Sequence, residues 1–191
     1  MGGWRARMAA GEIGGIWLRG SGILFRFKLK SRMGETKMAN VKPIPEGYHS
    51  VTPYLIIRGA KAAMDFYTKA FGATEVFKML DGQGEIGHAE MRIGNSIIML
   101  ANEKPDFPHK SPATLGGSPV SILLYVEDCD AVFNQAVAAG AKVERPLANQ
   151  FYGDRTGGVL DPFGFSWYIS THVEDVSPEE MERRAKEAKP A

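Results

Sequence analysis

Two groupings in this chain carry side chains able to do chemistry. His88 and Glu90 are separated by one residue in a run with strand character, so both project from the same face of a sheet. An imidazole beside a carboxylate can act as a base dyad, or as half of a metal site. The plainer alternative is a mutually satisfied pair on a polar face. The second grouping is Asp154-Arg155, in a glycine-rich stretch beside Tyr152. A guanidinium there can orient an anionic substrate or pin the loop through an ion pair. His49, His109 and His172 fall in terminal or loop settings without metal-ligand spacing. Cys129 is the single cysteine, which excludes an intramolecular disulfide and a cysteine-rich metal site. It reads as structural.

The elements that must hold these residues are legible from Val51 onward. Val51 to Ile57 is β-prone and is broken at Gly59. Ala63, Phe66, Tyr67 and Ala70 then repeat at helical spacing up to a terminal Gly72. Strands follow at Thr74–Leu80, Glu85–Ile93 and Ser96–Ala101, separated by Asp81-Gly82 and Gly94-Asn95 turns. Residues 102–119 hold four prolines and two glycines, and read as a linker or mobile loop. The pattern then restarts. Val120–Val126 is a strand, Asp128 or Asp130 caps a helix from Ala131 to Ala139, and Gly140 closes it. Lys142–Arg145 is a strand, Pro146–Asp154 a loop, and the polar, glycine-rich stretch from Tyr152 leads to Asp161-Pro162-Phe163-Gly164. That tight turn opens an aromatic strand from Phe165 to Ile169.

Corresponding strands lie about 69 residues apart, so the economical fold is α+β, two tandem βαβββ modules forming a shared curved-sheet cleft. The modules occupy about 48–103 and 119–173 within a domain of 46–176. Residues 1–45 read as an extension, disordered or from an early start codon. Ser177-Pro178-Glu179-Glu180 opens a polar C-terminal helix over 177–191.

Bulk properties narrow the function. The net charge is +1, but residues 1–37 carry eight basic and two acidic side chains, leaving the remainder at −5. A mildly acidic body is not a nucleic-acid surface. No run approaches the roughly 20 apolar residues of a membrane span. The expectation is a cytoplasmic protein with neither nucleic-acid nor membrane partners.

The folded part resembles a known family over residues 48–175. The motifs are Asp65-Phe66-Tyr67-Thr68-Lys69-Ala70-Phe71-Gly72, Arg92-Ile93-Gly94-Asn95-Ser96 and Asp161-Pro162-Phe163-Gly164. Together they resemble the glyoxalase/bleomycin-resistance/dioxygenase group, the vicinal oxygen chelate superfamily. Within it, the chain is most similar to the small glyoxalase-like proteins grouped with phosphonate-operon and demethylubiquinone-methyltransferase-like sequences. The resemblance implies a homodimer and a small-molecule cleft. It also implies a divalent metal held by His and Glu from the first and last strands of each module, which polarises vicinal oxygens or activates dioxygen.

Those four positions fall on Thr52, Met99, Ser121 and Tyr168. None is a carboxylate or imidazole, the ligands a hard divalent ion requires. By strand alternation the same face presents Tyr54, Ile97, Leu123, Tyr125 and Ser166. The expected ligand-binding cleft is therefore Thr52, Tyr54, Met99, Ser121, Tyr125, Arg155, Ser166 and Tyr168, with no cofactor. His88, Glu90 and Tyr168 are the candidate acid–base groups. The expected function is binding of a small, partly apolar organic molecule, as in resistance proteins. The alternative is a metal-dependent lyase, isomerase or dioxygenase with ligands displaced to His88, Glu90 or the loops.

Overall fold

The computed structural model describes residues 41–187 and, N-terminal to them, the backbone of β1 (Ile16–Gly20) and β2 (Ile23–Phe27), which pair antiparallel. Of the segment set aside as an extension, residues 41–45 are described and belong with the folded part, where Pro43, Ile44 and Pro45 line a cavity; residues 1–15, 21–22 and 28–40 lie outside the described residues. The first module runs β3 (Tyr54–Ile57), α1 (Ala60–Phe71), β4 (Thr74–Leu80), β5 (Ile86–Ile93) and β6 (Ser96–Asn102). A one-turn helix, α2 (Pro112–Leu115), interrupts the connecting loop. The second module runs β7 (Ser121–Tyr125), α3 (Cys129–Ala139), β8 (Lys142–Asn149), β9 (Asp154–Leu160) and β10 (Ser166–His172). The polar helix α4 (Pro178–Glu187) follows, with no buried residue.

The modules repeat one topology. Strand order is β3-β6-β5-β4 in the first sheet and β7-β10-β9-β8 in the second. In each, the first strand lies parallel to the last, while the remaining pairs are antiparallel. Helix ends explain the boundaries. Gly72 adopts φ 66° at the end of α1, and its N–H and that of Ala73 close on Thr68 and Tyr67 carbonyls. Gly59 offers α1 no side-chain cap, so Asn102 Oδ1 accepts from Ala60 N at 2.7 Å across the sheet. Asp128 is the cap of α3, its Oδ1 accepting from Ala131 N at 2.9 Å.

One core joins the modules, and it lies on the helix-bearing faces of both sheets. Leu55, Ile57, Met91 and Leu100 contribute from the first sheet, Val159, Trp167 and Ile169 from the second. Phe71 meets Trp167 with ring centroids 4.5 Å apart, and Tyr67 meets it at 5.4 Å. The Asp161-Pro162-Phe163-Gly164 turn locks this contact. Asp161 is buried, and its carboxylate accepts from Tyr67 Oη (2.9 Å), Trp167 Nε1 (3.0 Å) and the backbone N–H groups of Phe163 and Phe165.

Three strand readings of the sequence require correction. The stretch from Tyr152 to Leu160 is strand β9 from Asp154 onward rather than a loop. Its glycines serve close packing. A Cβ at Gly157 would lie 2.6 Å from Phe133 Cε2 of α3, and one at Gly158 3.3 Å from the Tyr168 ring. Likewise β8 runs through Pro146 to Asn149 instead of ending at Arg145. It is an edge strand with a register shift between Arg145 and Ala148, the setting in which proline is tolerated. At the other end, β3 begins at Tyr54, so Thr52 precedes the strand.

Candidate functional site

With the odd-numbered apolar residues of β5 turned to the core, the even-numbered ones face away from the helices. His88 and Glu90 therefore project from the open face of the first sheet. Register places Glu90 opposite Met99, and Met99 opposite Tyr54. The polar groups form a chain: Tyr54 Oη to His88 Nδ1 at 3.0 Å, His88 Nε2 to Glu90 Oε1 at 3.1 Å, and Tyr48 Oη donating to Glu90 Oε2. Donor bookkeeping sets its direction. An ionised Glu90 accepts from both sides, so His88 donates from Nε2, the tautomer in which Nδ1 accepts from the Tyr54 hydroxyl. The Tyr48 hydrogen bond is the main reason Glu90 sits below its ordinary pKa, with His88 adding to it against the opposing effect of burial. The same bond raises the Tyr48 hydroxyl.

A cavity of about 390 Å³ adjoins this chain. Pro43, Ile44, Pro45 and Met99 give it apolar walls; Tyr48, His49, Thr52 and Glu90 give it polar ones. The segment around Tyr48 crosses the open face as a strap, and the Arg92 guanidinium lies against it at Gly47. A Cβ at Gly47 would lie 2.9 Å from Arg92 Nη2.

The structure divides the expected cleft residues into two groups. Thr52, Tyr54 and Met99 lie at the first sheet, beside the acid–base candidates His88 and Glu90. Ser121, Tyr125, Ser166 and Tyr168 share the open face of the second, with Ser121 opposite Ser166 and Tyr168 opposite Leu123 and Gly158. Among the described residues, no second-module side chain lines the cavity. Tyr168 is thus separate from His88 and Glu90. Arg155 joins neither group, which corrects its assignment to the cleft. It lies on the helix-side face of β9 and makes a bidentate pair with Asp130 of α3, both contacts at 2.6 Å. Alternation decides this: Arg155 shares its side with Gly157 and Val159, which pack on α3 and the core.

Sequence reasoning missed two features. Tyr48 was passed over because it precedes the first strand, although an aromatic between prolines and a strand signals anchoring. Asp154, His172 and Tyr125 also form a network: Tyr125 Oη donates to Asp154 Oδ2 at 2.7 Å, and Asp154 Oδ1 meets His172 Nδ1 at 2.7 Å. His172 Nε2 lies 3.0 Å from Asp175 Oδ1. Asp154 is the principal cause of the raised His172 pKa, and Asp175 adds to it.

At the four positions where the resemblance places ligands for a divalent ion, the residues present do not suit one. Thr52 and Met99 bring a hydroxyl and a thioether, Ser121 and Tyr168 two more hydroxyls. The one imidazole–carboxylate pair on the first sheet spends its facing atoms on each other, and among the described residues no three acidic, His or Cys side chains converge.

The family model described as glyoxalase/bleomycin resistance protein/dioxygenase superfamily matches residues 48–169. The chain belongs to this superfamily. An uncharacterised protein of Mycobacterium tuberculosis is 38% identical over 154 residues, covering 79% of this chain and 87% of its own. The crystal structure of protein PA1353 from Pseudomonas aeruginosa is similar at 25% identity and TM-score 0.53, over 65% of this chain and 98% of that one. A putative 3-demethylubiquinone-9 3-methyltransferase, PhnB protein, from Bacillus cereus shares the fold at 21% identity and TM-score 0.50, over 64% and 99%. The superfamily member described here therefore keeps the two-module architecture while carrying Thr52, Met99, Ser121 and Tyr168 at the expected ligand positions.

Proposed function

We propose that this superfamily member is a cytoplasmic small-molecule binding protein, which takes a small, partly apolar organic molecule in its open sheet face without a divalent metal. The observation that carries this reading is the replacement of all four expected ligands by Thr52, Met99, Ser121 and Tyr168. The cavity supports it. Its volume lies within the range of ligand pockets, and its walls are apolar around a small number of placed polar groups.

A homodimer belongs to the same reading. Both open faces keep large apolar side chains in water: Tyr54, Phe77 and Met79 on the first sheet, Leu123 and Tyr125 on the second. A second copy laid across them would cover a surface of a kind monomers rarely leave exposed. Light scattering coupled to gel filtration tests this, with twice the 20.9 kDa chain mass expected.

One observation favours a second reading, a metal-dependent lyase, isomerase or dioxygenase with displaced ligands. His88 and Glu90 are adjacent on the cleft face, and separating them would free two donors. Metal content by mass spectrometry, followed by melting with added Ni²⁺, Zn²⁺, Mn²⁺ or Fe²⁺, separates the two. The binding reading expects substoichiometric metal and no stabilisation. One tightly held ion per chain, lost in both His88→Ala and Glu90→Ala, would establish the second.

A further inference from the structure

We infer that the first-sheet cavity selects ligands carrying a hydrogen-bond donor, above all a protonated amine, beside a small apolar body, and rejects carboxylates of the same shape. This rests on the binding reading above and names the chemistry of its ligand.

The inventory of the cavity wall leads there. Among the described residues, Glu90 is the only carboxylate lining it, and no lysine or arginine does. Arg92 shares the strand face with Glu90, yet its guanidinium lies against Gly47 and lines no part of the cavity. The other titratable lining groups are Tyr48 and His49. Glu90 Oε1 faces the His88 imidazole and Oε2 accepts from Tyr48, one contact on each oxygen. A carboxylate has roughly four lone-pair sites, so about two remain open. The side chain is only 15% exposed, so few waters compete for those sites.

The two neighbours also hold Glu90 ionised. Tyr48 and His88 favour the charged form and outweigh the cost of burial. A ligand N–H entering beside Met99 and Pro45 thus meets a preformed acceptor, and a cationic one gains a charge-assisted bond. Tyr48 lines the same space, and its hydroxyl stays committed to Glu90. A carboxylate in that place meets Glu90, and among the described lining residues no cation offsets it. Such like-charge contact in a partly desolvated pocket is what makes a site reject an otherwise matching shape.

Three probes of one shape test this: phenethylamine, 2-phenylethanol and 3-phenylpropionate, titrated calorimetrically into the full chain at neutral pH. The expected order is amine, then alcohol, then carboxylate, with the amine at least about tenfold tighter than the carboxylate. In Glu90→Gln that gap is expected to shrink to about threefold or less, while the alcohol still binds. Wild-type affinities alone decide if the variant melts early. A carboxylate that binds as tightly as the amine overturns the inference and leaves the binding reading standing. Discrimination that survives Glu90→Gln in a folded variant overturns it equally. If none of the three saturates, the cavity reading falls, and this inference with it.

Discussion

Tyr67 Oη donates to Asp161 Oδ2 at 2.9 Å, a hydrogen bond that joins the first module's helix to the second module's last turn across 94 positions of chain. Asp161 accepts three further bonds, so one buried carboxylate fixes Phe163, Phe165, Trp167 and Tyr67 together. Burial pushes its carboxyl above the usual range, and those four bonds pull it back. Asp161→Ala strands the Tyr67 hydroxyl and Trp167 indole N–H without an acceptor. A loss of about 3 kcal/mol is expected, seen as a drop of about 6–12 °C in melting temperature. A drop of a degree or two would show that the modules are held by apolar contact alone.

Gly157→Ala tests the close packing of β9 on α3. The new methyl would sit 2.6 Å from Phe133 Cε2 and 3.0 Å from Leu147 Cγ. The expected cost is about 1–3 kcal/mol in a chemical denaturation series. Phe133→Leu should recover part of it in the double variant, and simple additivity of the two losses would contradict the assignment.

Much of the fold was legible because periodicity and punctuation agree. Ala60–Phe71 stands where its helical spacing and Gly72 put it, and the Asp-Pro-Phe-Gly turn opens β10. The glycines of β9 misled because a glycine chosen for contact with Phe133 looks the same in sequence as one chosen for flexibility. In the site, alternation placed His88 and Glu90 on one face of their strand, and the strand register then sets Tyr54 and Met99 on that same face. Alternation could not say that Tyr48 crosses that face to reach Glu90, since the contact spans 42 positions and Tyr48 itself lies in no regular element. Arg155 was misassigned for want of the register, which one residue of slip reverses.

His172 provides a pH readout. Its folded pKa is raised above the ordinary 6.5 by Asp154 and Asp175. The stabilisation is therefore complete below the unfolded value and is lost as pH rises from about 6.5 through the folded one. Melting temperature should fall more steeply in wild type than in His172→Gln between about pH 6 and pH 8.5. Parallel curves would show that the Asp154 contact carries no protonation-dependent energy.

Arg155→Met separates the two roles considered for this side chain. Its pairing with Asp130 on the helix side predicts a small fall in melting temperature and unchanged affinity for any molecule bound in the first-sheet cavity. Loss of binding in a variant that melts normally would return Arg155 to the cleft.

The proposed function requires the cavity at Met99 and Glu90 to bind a small organic molecule without a metal ion. Labelling the methionine methyls and titrating chelator-treated protein with phenethylamine or 2-phenylethanol tests it most directly, because Met99 lines the cavity. A saturable shift of the Met99 methyl resonance, unchanged by added Zn²⁺ or Mn²⁺, is the predicted result. A Met99 resonance that stays still until a divalent ion is supplied would contradict the account.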